Sequence, residues 1–147
     1  MLIALLLSGV ISEAVALLPP LMQEQLLVIK IEVVMEIPAM RLGNRRSTVT
    51  EAWIKPGDLT IYISDWSDTY KKSKKGNQKA LMRLASDIAH ELYHLRNGLS
   101  EAPAYDEQIR VLSAMGAPRD LIADVRRSKD FVLSGSYSKA KLFLRQH

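Results

Sequence analysis

The 147-residue chain contains no cysteine. Disulfides, thiolate metal ligands and every mechanism with a cysteine nucleophile are therefore excluded, and the composition fits a reducing compartment. Aromatic residues are sparse, at 6%. Around the sharpest cluster of positive charge, Tyr70-Lys71-Lys72-Ser73-Lys74-Lys75-Gly76, only Tyr70 and Trp66 are aromatic. The interleaved stacking platforms of a single-strand nucleic-acid binder are missing there, so the cluster reads as a solvated loop leading into a helix, and nucleic acid is not the expected partner. The chain also lacks internal repeats, low-complexity tracts and long Gly/Ser-rich or Pro-rich linkers. No apolar run is long enough to cross a bilayer, because Ser8, Gly9, Ser12 and Glu13 interrupt the apolar N-terminus.

What is present describes one globular domain spanning residues 1–147, with 48% hydrophobic and 24% charged residues and a formal charge of +4. Leu2, Ile3, Leu6, Val10, Ala14, Leu17 and Leu18 fit an apolar helix ending at Pro19-Pro20. Ala14-Val15-Ala16 has the small-x-small form of a signal-peptidase site, but no Lys or Arg precedes the apolar run. The expected location is cytoplasmic, with export through an atypical N-terminal signal as the alternative. Residues 26–35, 49–54 and 59–64 read as strands, the last two joined by the turn Lys55-Pro56-Gly57-Asp58. Arg41 to Arg46 reads as a basic loop, and the residues after Gly116-Ala117-Pro118 as two or three short basic helices.

Histidine occurs three times, and two of the three stand four residues apart in His90-Glu91-Leu92-Tyr93-His94. On a helix, such a spacing stacks the imidazoles on one face, where both can reach one metal ion. Shuffling this composition gives the pattern in roughly two chains per thousand. From residue 79 to 98, Leu81, Leu84, Ala85, Ile88, Leu92 and Leu95 form a core-facing stripe of helical period. His90 and His94 fall nearly opposite the centre of that stripe, with Asp87 beside them and Glu91 on the flank. A pair placed so is not ordinary core packing.

A catalytic metal site needs a third protein ligand and one open position. Asn97-Gly98 is a helix stop signal, and Ser100 and Pro103 suit the start of a second helix. Glu101, Asp106 and Glu107 on that second helix are the candidate ligands.

These residues resemble the zincin metallopeptidases of the Glu-ligand type, the gluzincins, over about residues 81–118. In that family two His and a Glu of the following helix bind zinc, and the Glu beside the first His is the general base. Glu101-x-x-Ala104-Tyr105 resembles the family pattern for the second helix, which puts the third ligand on Glu101. The seven residues from His94 to Glu101 are short for the family, so Glu107 stays as the competitor. The resemblance implies an α+β fold, with a small N-terminal sheet, an apolar N-terminal helix, the His-pair helix and a helical C-terminal half. It also implies a zinc cofactor, Zn2+, and a peptide or protein substrate. By analogy, residues 59–64 would be the edge strand that pairs with substrate beside the His-pair helix, and Tyr93 or Tyr105 a donor to the oxyanion. Two other classes stay open: a binding module that retains a zinc site without catalysis, and a basic nucleic-acid-associated protein in which the His pair is accidental.

Overall fold

The computed structural model describes residues 9–35 and 51–135. The chain is α+β: a small three-stranded sheet and six helices among the described residues. Helix α1 (Gly9–Ala16) buries Ile11 and Ala14, and α2 (Pro20–Gln25) follows at once. Pro19-Pro20 therefore both ends one helix and starts the next, because proline's fixed φ and missing N–H suit a first helical turn. The expected strand over 26–35 is shorter than its composition suggests. Leu26–Val28 continue α2 as a 3-10 turn, which buries Leu26, and strand β1 is Lys30–Val34. The first eight residues of the expected N-terminal helix, the basic loop of Arg41 to Arg46 and Val49-Thr50 of the second expected strand lie outside the described residues.

Strand β2 (Ala52–Ile54) turns through Lys55–Asp58 into β3 (Thr60–Ser64). Asp58 N–H donates to the Lys55 carbonyl at 3.2 Å, and Gly57 takes the positive φ of 78° that the turn requires. The sheet order is β1-β3-β2, with β1 parallel and β2 antiparallel to β3. This corrects the expected edge role of residues 59–64. Both hydrogen-bonding sides of β3 are used, and its Ile61 and Ile63 are fully buried, so the composition that reads as a substrate-pairing edge belongs to the central strand.

The lysine-rich stretch is also not a loop. Helix α3 (Asp68–Lys74) is capped by Ser67, whose Oγ accepts from Tyr70 N–H at 3.1 Å, and Lys71, Lys72 and Lys74 sit in its last turn, where positive charge favours the helix dipole. Helix α4 (Gln78–Asn97) follows, with Asn77 as N-cap accepting from Ala80 N–H at 2.9 Å. Helices α5 (Glu101–Ala114) and α6 (Arg119–Leu133) complete the described chain. One 15-residue α6 replaces the two or three short helices expected after Pro118. It carries Arg126, Arg127 and Lys129; Lys139, Lys141 and Arg145 lie outside the described residues.

Two apolar clusters hold α4 and α5 in place. Leu81, Leu84, Ala85, Ile88 and Leu92 of α4 pack with Ile11, Ala14, Ile61 and Ile63. Behind α5, Leu112 packs with Leu121 and Val125 of α6. Leu84→Ala should cost about 2–5 kcal/mol and Ile61→Val about 0.5–1.5 kcal/mol, since neither buried site is free to collapse. Denaturant unfolding with an unchanged m-value would register both losses.

Candidate metal centre

The stripe that turns one side of α4 to the sheet leaves His90 and His94 on the other side, and α5 covers them there. Each His is only 7% exposed. The covering depends on a tight reversal at Gly98, whose φ of 104° is unfavourable for any residue with a Cβ. Gly98 N–H donates to the His94 carbonyl at 3.1 Å, closing α4, and α5 begins three residues later behind Ser100. Ser100 occupies the N-cap position without a side-chain capping bond. Ala104 is fully buried, and its small side chain lets α5 lie close on α4.

Four polar atoms of three side chains converge in the resulting space. The Nε2 atoms of His90 and His94 are 3.1 Å apart. Glu101 places Oε2 3.2 Å from His90 Nε2 and Oε1 3.4 Å from His94 Nε2. Ligand atoms held tetrahedrally about 2.0–2.1 Å from a zinc ion stand about 3.3–3.4 Å from one another. Each His nitrogen lies near that distance from one oxygen of Glu101, and one ligand atom from each of the three residues fits within 4.8 Å of the others. Among the described residues this is the one cluster of His and carboxylate groups with that convergence.

The protons around the cluster point the same way. His94 Nδ1 is 3.0 Å from the Gly98 carbonyl, which can only accept, so Nδ1 carries the proton. His90 Nδ1 is 3.0 Å from Gln108 Oε1 and donates to it likewise. In the neutral rings both Nε2 atoms are then acceptors, facing each other and a carboxylate. Two buried imidazole acceptors and a half-buried carboxylate cannot satisfy one another, and a cation between them, either a proton or a metal ion, would satisfy all three.

The electrostatics of the metal-free cluster follow from this. Burial pushes Glu101 up, but hydrogen bonds from His90 and His94 and their charges outweigh it and bring the carboxyl to about 2. Burial lowers His94, yet its hydrogen bonds to Glu101 and the Gly98 carbonyl, with the charges of Glu91 and Glu101, raise it overall. A second polar group lies behind the first. Gln108 Nε2 donates to Asp87 Oδ1 at 2.9 Å and to Ser86 Oγ at 3.1 Å. Asp87 is 3.4 Å from Arg83, and Arg83 Nε donates to Glu51 Oε2 at 3.1 Å. Burial, with the Glu51 carboxylate nearby, pushes Asp87 well above the ordinary carboxylate range.

The sequence candidates separate clearly in space. Glu101 meets the His pair, whereas Glu107 pairs with Arg110 at 2.6 Å and Asp106 with Lys129 of α6 at 2.6 Å. Glu91 is half-buried on the flank of the His face, near enough for its charge to act on His94. Tyr105 packs on His90 in an edge contact, 4.5 Å between ring centroids. Tyr93 lines a groove with Met22, Leu92, Arg96 and Glu107, a groove that neither His nor Glu101 lines. Gln108 and the Gly98 carbonyl escaped the sequence reading. Gln108 lies seven residues after Glu101, two helical turns on the same face, a period that could have revealed it. Glu51 carries no local signal at all.

Two outcomes follow from this geometry. In the metal-free protein, Glu101 adds stability that is complete above its ordinary value of 4.5 and is lost as pH falls towards about 2. His94 adds stability that is complete below 6.5 and is lost as pH rises through its higher folded value. The stability gap between the native chain and Glu101→Ala should therefore be widest between these limits, as denaturant unfolding at several pH values would reveal. In zinc titrations, Glu101→Ala should weaken binding by more than the roughly 10–100-fold expected for losing a ligand's hydrogen-bond partner, and Glu107→Ala by far less. The opposite ranking would move the third ligand to Glu107.

No protein-family model, curated protein or solved structure matches the chain, so the functional reading draws on the geometry of the site itself.

Proposed function

We propose that the chain is a zinc-dependent hydrolase that cleaves peptide bonds, with His90, His94 and Glu101 as the metal ligands and Glu91 as the general base. The observation that carries this reading is the meeting of His90 Nε2, His94 Nε2 and the two carboxylate oxygens of Glu101, with separations of 3.1 Å between the nitrogens and 3.2 and 3.4 Å from nitrogen to oxygen. Three protein ligands is the number a catalytic zinc site uses, since structural sites take four. Glu101 is also the open corner of the cluster, with 34% of its side chain exposed against 9% and 5% for the two His. A zinc ion held there supplies Lewis acidity and brings the pKa of a bound water to about 7.

The remaining steps belong to the chain's own side chains. Gly98 and Gln108 hold the two imidazoles with Nε2 facing the site. Glu91, one residue on from His90 and close enough for its charge to act on His94, accepts the proton of the attacking water, then returns it to the leaving amine. Tyr105 holds His90 by ring contact. Strand β2 supports the choice of a peptide over a small ester. It pairs only with β3, so its outer edge has no strand partner among the described residues, and it is fastened to α4 by the Glu51–Arg83 bond. An extended peptide can add to such an edge by main-chain hydrogen bonds.

Glu91→Gln distinguishes the base from the ligands. The variant should keep one zinc per chain by metal analysis and lose peptide hydrolysis by at least about 100-fold, the contribution typical of a general base. Loss of zinc from this variant would show that the roles are assigned wrongly. A native protein that binds zinc but turns over no peptide in a mixed-sequence library would reduce the site to a binding module. A chain that binds no zinc would make the His pair accidental.

A further inference from the structure

We infer that Gln108 is a positioning residue for the metal centre: locked by Asp87 and Ser86, its amide oxygen holds His90 in the Nδ1–H tautomer and so turns the Nε2 lone pair to the ion. The inference rests on the reading of His90 as a ligand. Gln108 is 3% exposed and lies between α4 and the start of the α5 core, so its amide has no access to bulk water for hydrogen bonding. An amide could present either its oxygen or its NH2 to His90, and the choice decides the tautomer.

The surroundings of Gln108 leave one choice. Ser86 Oγ donates its own proton to the Arg83 carbonyl at 2.7 Å, so towards Gln108 it can only accept. Asp87 Oδ1 accepts from Gln108 Nε2 at 2.9 Å, and the guanidinium charge of Arg83, whose Nε proton goes to Glu51, lies 3.4 Å from the same oxygen and favours a lone pair there over a proton. Both protons of the NH2 are thus claimed, at 3.1 and 2.9 Å. A flipped amide would set its oxygen against two acceptors and lose both bonds, a buried loss of about 1–3 kcal/mol for each group left unpaired. With the amide fixed, Oε1 faces His90 Nδ1 at 3.0 Å, and only the protonated Nδ1 can pair with it.

The placement of the residue explains the economy of the arrangement. Glu101 and Gln108 are two turns apart on one face of α5, so a single docking of α5 delivers both a ligand and the group that orients a ligand. Because Gln108 is neutral, it orients His90 without adding a second carboxylate beside Glu101 and Asp87. That avoids the like-charge repulsion that burying another anion there would bring.

The test reads the tautomer and the metal separately. In 15N NMR of the metal-free full-length protein above the His titration, both His90 and His94 should be Nδ1–H. Gln108→Met keeps the length of the side chain but replaces the amide oxygen facing His90 with a thioether, a far weaker acceptor. In it, His90 should move towards the Nε2–H form while His94, held by the Gly98 carbonyl, keeps its signal as an internal control. Zinc affinity by chelator competition should fall about 10–100-fold. Asp87→Asn retains a side-chain oxygen for Gln108 and should leave the His90 tautomer as it is. A native protein with His90 as Nε2–H, or a folded Gln108→Met protein with unchanged tautomer and affinity, overturns the inference, and the first of these holds even if the variant fails to fold. Should the native protein bind no zinc while Gln108→Met still releases the His90 tautomer, the metal reading falls and the positioning role stands.

Discussion

Setting two buried imidazole acceptors against a half-buried carboxylate is the constraint around which the described structure is arranged. Left without a cation, the Nε2 atoms of His90 and His94 and the carboxylate of Glu101 would repel at 3.1 to 3.4 Å, with solvent reaching the group only from the Glu101 side. Such an arrangement persists only where the surroundings over-determine it. Here they do so from two directions. The apolar stripe of α4 fixes the helix against Ile61, Ile63 and α1, and the cluster of Leu112, Leu121 and Val125 presses α5 from behind. Neither cluster contains His90, His94 or Glu101, yet together they set the distance between the two helices that carry them. The reversal at Gly98 adds the third restraint, since its carbonyl orients His94 in the same few residues that bring Glu101 back over the helix.

Much of this was legible in the chain because the signals are local. The period of Leu81, Leu84, Ile88 and Leu92 gives α4 its core face and, by subtraction, the face of the His pair. Asn97-Gly98 gives the turn, and the resemblance of Glu101-x-x-Ala104-Tyr105 to the gluzincin pattern picks Glu101 from three acidic candidates. What local signals could not supply was whatever depends on pairing between distant segments. Residues 59–64 read as a strand with a correct turn before it, but whether a strand is central or at an edge depends on β1, some thirty residues away, lying alongside it. The lysine-rich stretch differs from its reading as a loop for another reason. Charge alone suggests solvent, whereas the Ser67 cap and the place of the lysines in a last turn make the stretch a helix. The burial of the His pair under α5 belongs to the same class as the strand order, since helical phase alone says only that the pair faces away from the first core.

The polar chain behind the His pair extends the constraint to the sheet. His90 donates to Gln108, Gln108 to Asp87 and Ser86, and Arg83 links Asp87 to Glu51, which also accepts from Thr69 Oγ1 at 2.6 Å. Every link is at least partly buried, so replacing one partner leaves another polar group without compensation. Burial of Asp87 beside Glu51 raises its pKa, and Arg83, itself largely buried, offsets the remaining charge. Glu51, just before β2, and residues of α3, α4 and α5 are therefore tied to His90 by directional hydrogen bonds and an ion pair, and not by apolar contact, which tolerates sliding.

This distinction bears on how a peptide could be held for hydrolysis. Rate depends on placing the scissile carbonyl within a fraction of an ångström of the ligands, and a displacement of about 1 Å can cost about 100-fold. If the edge of β2 supplies the main-chain pairing, its position relative to His90 must be as well defined as the ligands themselves. Apolar packing of Ala52 and Ile54 on α4 would leave the strand free to shift along the helix. The Glu51–Arg83 bond just before β2, continued through Asp87 and Gln108 to His90, restricts that freedom, because a slide of the strand stretches a bond in a chain that ends at His90. Under the proposed function, the substrate edge and the three metal-binding side chains would then move as one unit, the arrangement in which a catalytic site is most accurately held.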